Sequence, residues 1–147
     1  MSDNPYDLLK LENQLCFPLY AAARATIRLY KPLLDKLDLT YTQYITMMVL
    51  WERRSLTAKE LGDLLFLDSG TLTPLLKKME AKGLLTRRRS TDDERSLIVS
   101  LTPEGEALKE RALQVPKEMI KYFPLEQEEG ELLYKLLYKL LDSIPED

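Results

Sequence analysis

Leucine recurs every three or four positions near the start of the chain. Leu8, Leu11, Leu15 and Leu19 lead on to Ala22, with Leu9 and Ala23 beside the stripe. That period is helical and predicts a helix over residues 6–30. Pro18 falls inside it. An interior proline deletes the hydrogen bond to the carbonyl four residues back, here Gln14, so a kink or local opening is expected beside Cys16. Lys31-Pro32 opens a short helical piece over 33–37. Thr40-Tyr41-Thr42-Gln43 has the Thr-x-x-Gln form of a capping box. It starts a helix with an apolar body (Tyr44, Ile45, Met47, Met48, Val49, Leu50, Trp51), expected to be buried on most sides.

Thr57 and Glu60 form a second capping box ahead of the stripe Ala58, Leu61, Leu64 and Leu65. Phe66-Leu67-Asp68-Ser69-Gly70 breaks the pattern, with Asp68 or Ser69 placed to cap the next helix. That helix spans about 71–81 and carries Leu72, Leu75, Leu76 and Met79 on one stripe. Two short helices joined by a tight polar turn make a helix-turn-helix. Lys82-Gly83 is a glycine stop, after which the period changes. Residues 84–89 and 96–101 read as strands around the polar turn 90–95, a β-hairpin. A helix-turn-helix followed at once by a hairpin is a winged helix. Thr102-Pro103-Glu104 caps another helix, running through Leu108 and Leu113 towards Pro116. A last helix from about Leu125 carries Leu132, Leu133, Leu136, Leu137, Leu140 and Leu141. The fold class expected is mainly α with a small β-hairpin.

The 147 residues suffice for one domain with a core, and 45% hydrophobic with 31% charged residues is a globular balance. No apolar run reaches the roughly 20 residues that span a bilayer. The first residues have neither the basic start nor the apolar stretch of a signal peptide, which with a single cysteine points to a cytoplasmic location. Histidine is absent. The commonest general base and metal ligand are therefore missing, and no metal, cofactor or catalytic group is expected. Cys16 is the one cysteine, so its oxidation cannot form a disulfide within the chain. Its products would be a sulfenic acid, a mixed disulfide with a small thiol or a link to another chain.

The net charge is −3, yet Lys77, Lys78, Lys82, Arg87, Arg88 and Arg89 face only Glu80 between residues 77 and 89. One positive zone on an acidic molecule suits a nucleic-acid contact. Opposite the stripe of the second helix lie Gly70, Thr73, Pro74, Lys77 and Lys78. Ser69 and Thr73 can bond phosphates or bases, a methyl of Thr71 or Thr73 can meet a thymine methyl, and Lys77 and Lys78 can anchor phosphates. In the hairpin, Arg87, Arg88 and Arg89 share one strand, and Arg95 at the tip can enter a narrow minor groove. Asp93 would repel phosphate unless it holds the Arg95 guanidinium, expected here as a bidentate pair. The terminal segments carry more leucine than one small winged helix can bury. A two-fold dimer, packing first and last helices together, would cover it and suit an inverted-repeat operator. The expected organisation is a single chain, 1–147, with 1–38 and 103–147 dimerising and 39–102 reading double-stranded DNA.

Several runs together resemble the MarR family of winged-helix repressors over nearly the whole length. They are Leu11-Glu12-Asn13-Gln14-Leu15-Cys16-Phe17, Lys31-Pro32-Leu33-Leu34-Asp35, Leu39-Thr40-Tyr41 with Gln43-Tyr44, Leu67-Asp68-Ser69-Gly70-Thr71-Leu72-Thr73-Pro74, and Asp93-Glu94-Arg95-Ser96. Within that family the chain is similar to the organic-hydroperoxide-sensing repressors of OhrR type, in their one-cysteine branch. The resemblance implies that Cys16 is the peroxide-reactive thiol and that Tyr30 and Tyr41 hydrogen-bond it from the partner subunit, with Tyr20 a neighbour. It implies a homodimer that organic hydroperoxide releases from its operator, with a low-molecular-weight thiol capping the oxidised sulfur. Two other readings stay open on the residues themselves. One is a repressor released by an aromatic or phenolic ligand at a dimer junction lined by Tyr20, Tyr30, Tyr41 and Tyr44. The other is a thiol peroxidase using Cys16, with only Arg24 and Arg28 as nearby arginines.

Overall fold

The computed structural model describes residues 3–145, and two compact units divide the chain between Val115 and Pro116. In the first unit, α1 (Cys16–Asp35) leads to α2 (Tyr41–Arg53), strand β1 (Ser55–Thr57), α3 (Ala58–Leu65), α4 (Ser69–Ala81) and strands β2 (Leu85–Arg89) and β3 (Leu97–Leu101). The strands form one antiparallel sheet in the order β1-β3-β2, with Leu56 opposite Val99 and Val99 opposite Arg87. Met47 and Leu50 of α2, Leu61 of α3, Leu76 and Met79 of α4, Leu85 of β2 and Val99 of β3 are closed to solvent. The apolar stripes of the three helices thus meet over one face of the wing and fix the angle at which α4 is presented. The expected fold class holds, with a third strand, β1, that the pattern of a hairpin did not announce. Three residues are too few to show an alternation.

The N-terminal expectation is corrected. Residues Pro5–Leu9 and Leu11–Asn13 form two 3-10 turns, and the α-helix begins only at Cys16. Asn4 caps the first turn, its side chain accepting the Tyr6 N–H at 3.1 Å, and the Gln14 amide donates to the Leu8 and Lys10 carbonyls. These side-chain bonds supply local alternatives to the helical ladder. Pro18 therefore falls in the first turn of α1, where the N–H would have no helical partner, and the expected kink has no cause. No separate helix opens at Lys31-Pro32 either, because α1 runs through Pro32 to Asp35. Leu34, buried near the helix end, holds that last turn on the core.

The capping box of α2 forms as expected. Thr40 Oγ1 accepts the Gln43 N–H at 3.3 Å and the Thr40 N–H donates to Gln43 Oε1 at 3.1 Å. The helix is buried on one face only, with Met48 exposed. Asp68 caps α4, which starts two residues earlier than expected, and Gly83 ends it at φ 80°. Beyond β3 the expected single helix is three short ones, α5 (Pro103–Ala107), α6 (Lys109–Ala112) and α7 (Gln114–Met119), with i→i−3 bonds tightening the chain at Leu108 and Leu113. In the second unit α8 (Gln127–Ser143) has no buried residue, and Leu132, Leu133, Leu136 and Leu140 are exposed along it.

Gly105 joins α5 to the core. Its carbonyl accepts the Trp51 indole N–H at 2.9 Å, and a Cβ there would collide with the Leu84 carbonyl oxygen and the Leu101 side chain. Gly105→Ala is expected to destabilise the protein by about 1–3 kcal/mol, as overpacking does, read as a lower urea midpoint at fixed protein concentration.

Candidate nucleic-acid interface and thiol site

The DNA-reading candidates lie on α4 and the wing. Asp68 Oδ1 accepts the Thr71 N–H at 2.7 Å, and this bond holds its carboxyl below the usual carboxylate value. With Leu72, Leu75, Leu76 and Met79 turned into the core, Ser69, Gly70, Thr71, Thr73, Pro74, Lys77 and Lys78 are all exposed. The helix offers hydroxyls and methyls in its first turns and two ammonium groups further along. Such a surface suits base edges first and phosphates beyond.

The wing turn is held by its own polar side chains. The Ser90 N–H donates to the Ser96 carbonyl at 2.9 Å, and Ser90 Oγ accepts the Asp92 and Asp93 N–H groups. Asp93 Oδ1 accepts the Arg95 N–H at 3.0 Å, and Ser96 Oγ donates to Asp93 Oδ2 at 3.4 Å. The expected bidentate pair is corrected: only Arg95 Nε approaches Asp93 Oδ1, at 3.5 Å. One carboxylate cannot face a guanidinium fork squarely while it also serves the turn's N–H and hydroxyl. Asp93 thus shapes the tip, and Arg95 stays 95% exposed and free to turn outward.

The three arginines of β2 are not equivalent. Arg88 and Arg89 are exposed. Arg87 instead meets Glu80 of α4: its Nη2 donates to Glu80 Oε1 at 3.1 Å and its backbone N–H donates to Glu80 Oε2 at 2.9 Å. Among the described residues Arg87 Nε is buried without a partner. The Arg87 side chain and N–H hold the Glu80 carboxyl below its ordinary value. Here Arg87 is a strut between wing and recognition helix, a role the charge pattern alone did not separate from that of its neighbours.

Cys16 is the first residue of α1 and is exposed. The partial positive charge of the helix N-terminus lies at its end. Tyr20 follows one turn on, also exposed, with the Arg24 guanidinium 5.3 Å from its ring centre. Tyr30 and Tyr41 are brought together, their ring centres 5.0 Å apart, and Tyr44 closes the cluster at 5.8 Å from Tyr30 and 6.3 Å from Tyr41. Burial raises the phenol pKa of Tyr30 and Tyr41, and it pushes Tyr44 up to about 12 with help from its two neighbours. All three are therefore O–H donors at neutral pH. What the structure does not bring together is Cys16 and this cluster. Fourteen residues of α1 separate Cys16 from Tyr30, a rise of about 21 Å at 1.5 Å per residue.

Among the described residues no helix is long and apolar enough to cross a membrane, and no cluster of His, Cys, Asp or Glu could hold a metal ion. An exposed polar and basic helix packed on a basic three-stranded wing defines the winged-helix DNA-binding regulators. Residues 28–112 match the family described as transcriptional regulator SarA/Rot. The chain is 50% identical, over 97% of its length and 97% of the relative's, to the organic hydroperoxide resistance transcriptional regulator of Bacillus subtilis. It is 33% identical to AbfR of Staphylococcus epidermidis, solved in reduced form bound to DNA, with 94% of this chain and 96% of that one covered at a TM-score of 0.77. AbfR has also been solved overoxidized on DNA and in a disulfide form. A mutant MarR from E. coli, complexed with operator DNA, is 26% identical with 95% and 99% coverage and a TM-score of 0.77. The chain belongs to the MarR family of winged-helix transcriptional regulators, which are regulators and not enzymes.

The Glu80–Arg87 strut has a pH signature. A folded-state carboxyl pKa below the unfolded one contributes stability that is present above the unfolded value, near 4.5, and is lost as pH falls through the folded value. Glu80→Gln is therefore expected to melt lower than the unsubstituted protein at pH 7. The gap should close as pH falls below 4.5 and through the lowered folded value, read by thermal melts from pH 7 downward.

Proposed function

We infer that this protein is a transcriptional repressor that binds operator DNA as a homodimer and is released when an organic hydroperoxide oxidises Cys16. The observation that carries the reading is the separation inside α1: an exposed thiol at one end and a paired, protonated set of phenols at the other. Neither can serve the other within one chain, whereas two antiparallel copies would bring each thiol to its partner's phenols. The exposed apolar side chains of Leu8, Leu9, Leu15, Phe17, Leu19 and the α8 leucines supply a surface such a pairing would cover. In the proposed division, residues 1–38 and 103–147 dimerise and 39–102 read DNA, in the cytoplasm.

The chemistry follows from the thiol. Phenol O–H donors stabilise the thiolate, the species that attacks. Its sulfur attacks the terminal oxygen of R–O–O–H, an S–O bond forms, the O–O bond breaks, and the alkoxide takes a proton and leaves as the alcohol. Sulfur is oxidised to the sulfenic acid and the hydroperoxide is reduced. A small thiol then attacks the sulfenic sulfur, giving a mixed disulfide and water. Either product disturbs the phenol bonds at Tyr30 and Tyr41, with Tyr20 beside them, and a bulky disulfide crowds the seam between subunits. The two reading heads then lose their spacing. On DNA, Ser69, Gly70, Thr71, Thr73 and Pro74 meet the major groove, and Lys77, Lys78, Arg88 and Arg89 meet phosphates. Arg95 enters the minor groove, its approach set by Asp93 and Ser96, while Arg87 braces the wing.

Cys16→Ser is expected to bind operator DNA as tightly as the unsubstituted protein and to stay bound under cumene hydroperoxide doses that release the latter. Gel shifts paired with intact mass on the same samples read both events. Release of Cys16→Ser at those doses overturns the thiol mechanism, and its release by salicylate-like compounds would favour a phenolic ligand instead.

A further inference from the structure

A second polar cluster lies between the tyrosines and the DNA-reading helix, and it turns on Lys82. This residue caps the C-terminal end of α4, its backbone N–H donating to the Lys78 carbonyl at 3.1 Å. Its side chain reaches away from the DNA-reading face to the junction of α1 and α2. There Nζ donates to Gln43 Oε1 at 3.1 Å and to the Asp38 backbone carbonyl, with Asp38 Oδ2 3.6 Å away. Asp38 has a positive φ of 54°, a turn conformation that aims its carbonyl out of the α1–α2 connection. Gln43 is 4% exposed, and the same Oε1 accepts the Thr40 N–H that closes the cap of α2. The first residue inside that cap is Tyr41.

These contacts form a short chain of hydrogen bonds: from the backbone beside Tyr41, through the Thr40–Gln43 cap, to an ammonium fixed on the last turn of α4. Apolar packing carries no direction of its own. These hydrogen bonds are directional and hold α4 by its end. The geometry points to Lys82 as the positioning residue that couples the tyrosine pair to the recognition helix within one subunit. A shift of Tyr41 displaces the cap, the cap carries the Lys82 ammonium, and α4 follows. The assignment rests on the reading that Tyr41 responds to oxidation of Cys16. Its content is a coupling between thiol state and DNA affinity, a quantity separate from the affinity itself.

Lys82→Met removes the ammonium and keeps the aliphatic stem. Removing one positive charge from the molecule changes DNA binding of the reduced and oxidised forms alike, so the readout is the ratio of their Kd values. It is measured by fluorescence anisotropy on a duplex selected for binding by the reduced, unsubstituted protein. Cumene hydroperoxide is the oxidant, and the extent of Cys16 oxidation is matched by mass. Couplings between sites commonly amount to about 5–150-fold. Lys82→Met is expected to cut the oxidised-to-reduced Kd ratio by about fivefold or more, while Lys82→Arg, which restores charge and donors, keeps most of it. An unchanged ratio in Lys82→Met overturns this assignment and leaves the thiol mechanism standing. If the unsubstituted protein is itself not released on oxidation, both fall together.

Discussion

A straight helix keeps its ends apart, and α1 does so for the two groups on which the proposed response depends. Cys16 opens the helix and Tyr30 lies nearly four turns on, about 21 Å away along the axis. Tyr41 is held against Tyr30 by packing at the start of α2, so both phenols share that remoteness. The unbroken helix from Cys16 past Tyr30 makes the separation rigid. In the proposed dimer the same rigidity becomes useful, because any change that pushes the thiol from its partner's phenols is delivered to whole helices rather than absorbed locally. The exposed apolar faces at the N-terminus and on α8 belong to the same account, since they would otherwise be uncovered surface on a chain whose core is already complete.

Electrostatics separates the two halves of the function. A net charge of −3 says little about DNA, because the charges are sorted in space. Three acidic groups near the reading surface are tied up: Asp68 caps α4, Glu80 braces Arg87, and Asp93 shapes the wing turn. Lys77, Lys78, Arg88, Arg89 and Arg95 are left facing outward. At the other site burial does the opposite work. It holds Tyr30, Tyr41 and Tyr44 neutral well above physiological pH, so they are proton donors ready for an anionic sulfur and are not themselves a source of negative charge.

Much of this was legible in the sequence where a local rule and the core agree. The Thr40–Gln43 cap, the stripe of α4, the Gly83 stop and the strands of the wing each follow from a few neighbouring residues, and tertiary packing reinforces them. The misses have a common cause. Leucine spacing before Cys16 has a helical period, but the side chains of Asn4, Asn13 and Gln14 bond the backbone into 3-10 turns instead. Pro18 looked like an interior proline only because the helix start was placed too early. Strand β1 depends on β3, more than forty residues away, for its existence. At the site, the residue types were readable but their division of labour was not. Glu80 reaches Arg87 across a turn, and Lys82 reaches Gln43 and Asp38 from a distant helix, at separations that no periodicity encodes.

Mixed dimers test the central claim most directly, because they ask whose phenols serve which thiol. In one, the first chain carries Cys16→Ser with its tyrosines intact, and the second keeps Cys16 but carries Tyr30→Phe and Tyr41→Phe. In the other, the first chain carries all three substitutions and the second is unsubstituted. Stopped-flow oxidation of the one remaining Cys16 by cumene hydroperoxide should run at the unsubstituted rate in the first pairing and slow markedly in the second. The reverse order would mean that each thiol uses the phenols of its own chain, which the length of α1 forbids, and the account would be contradicted.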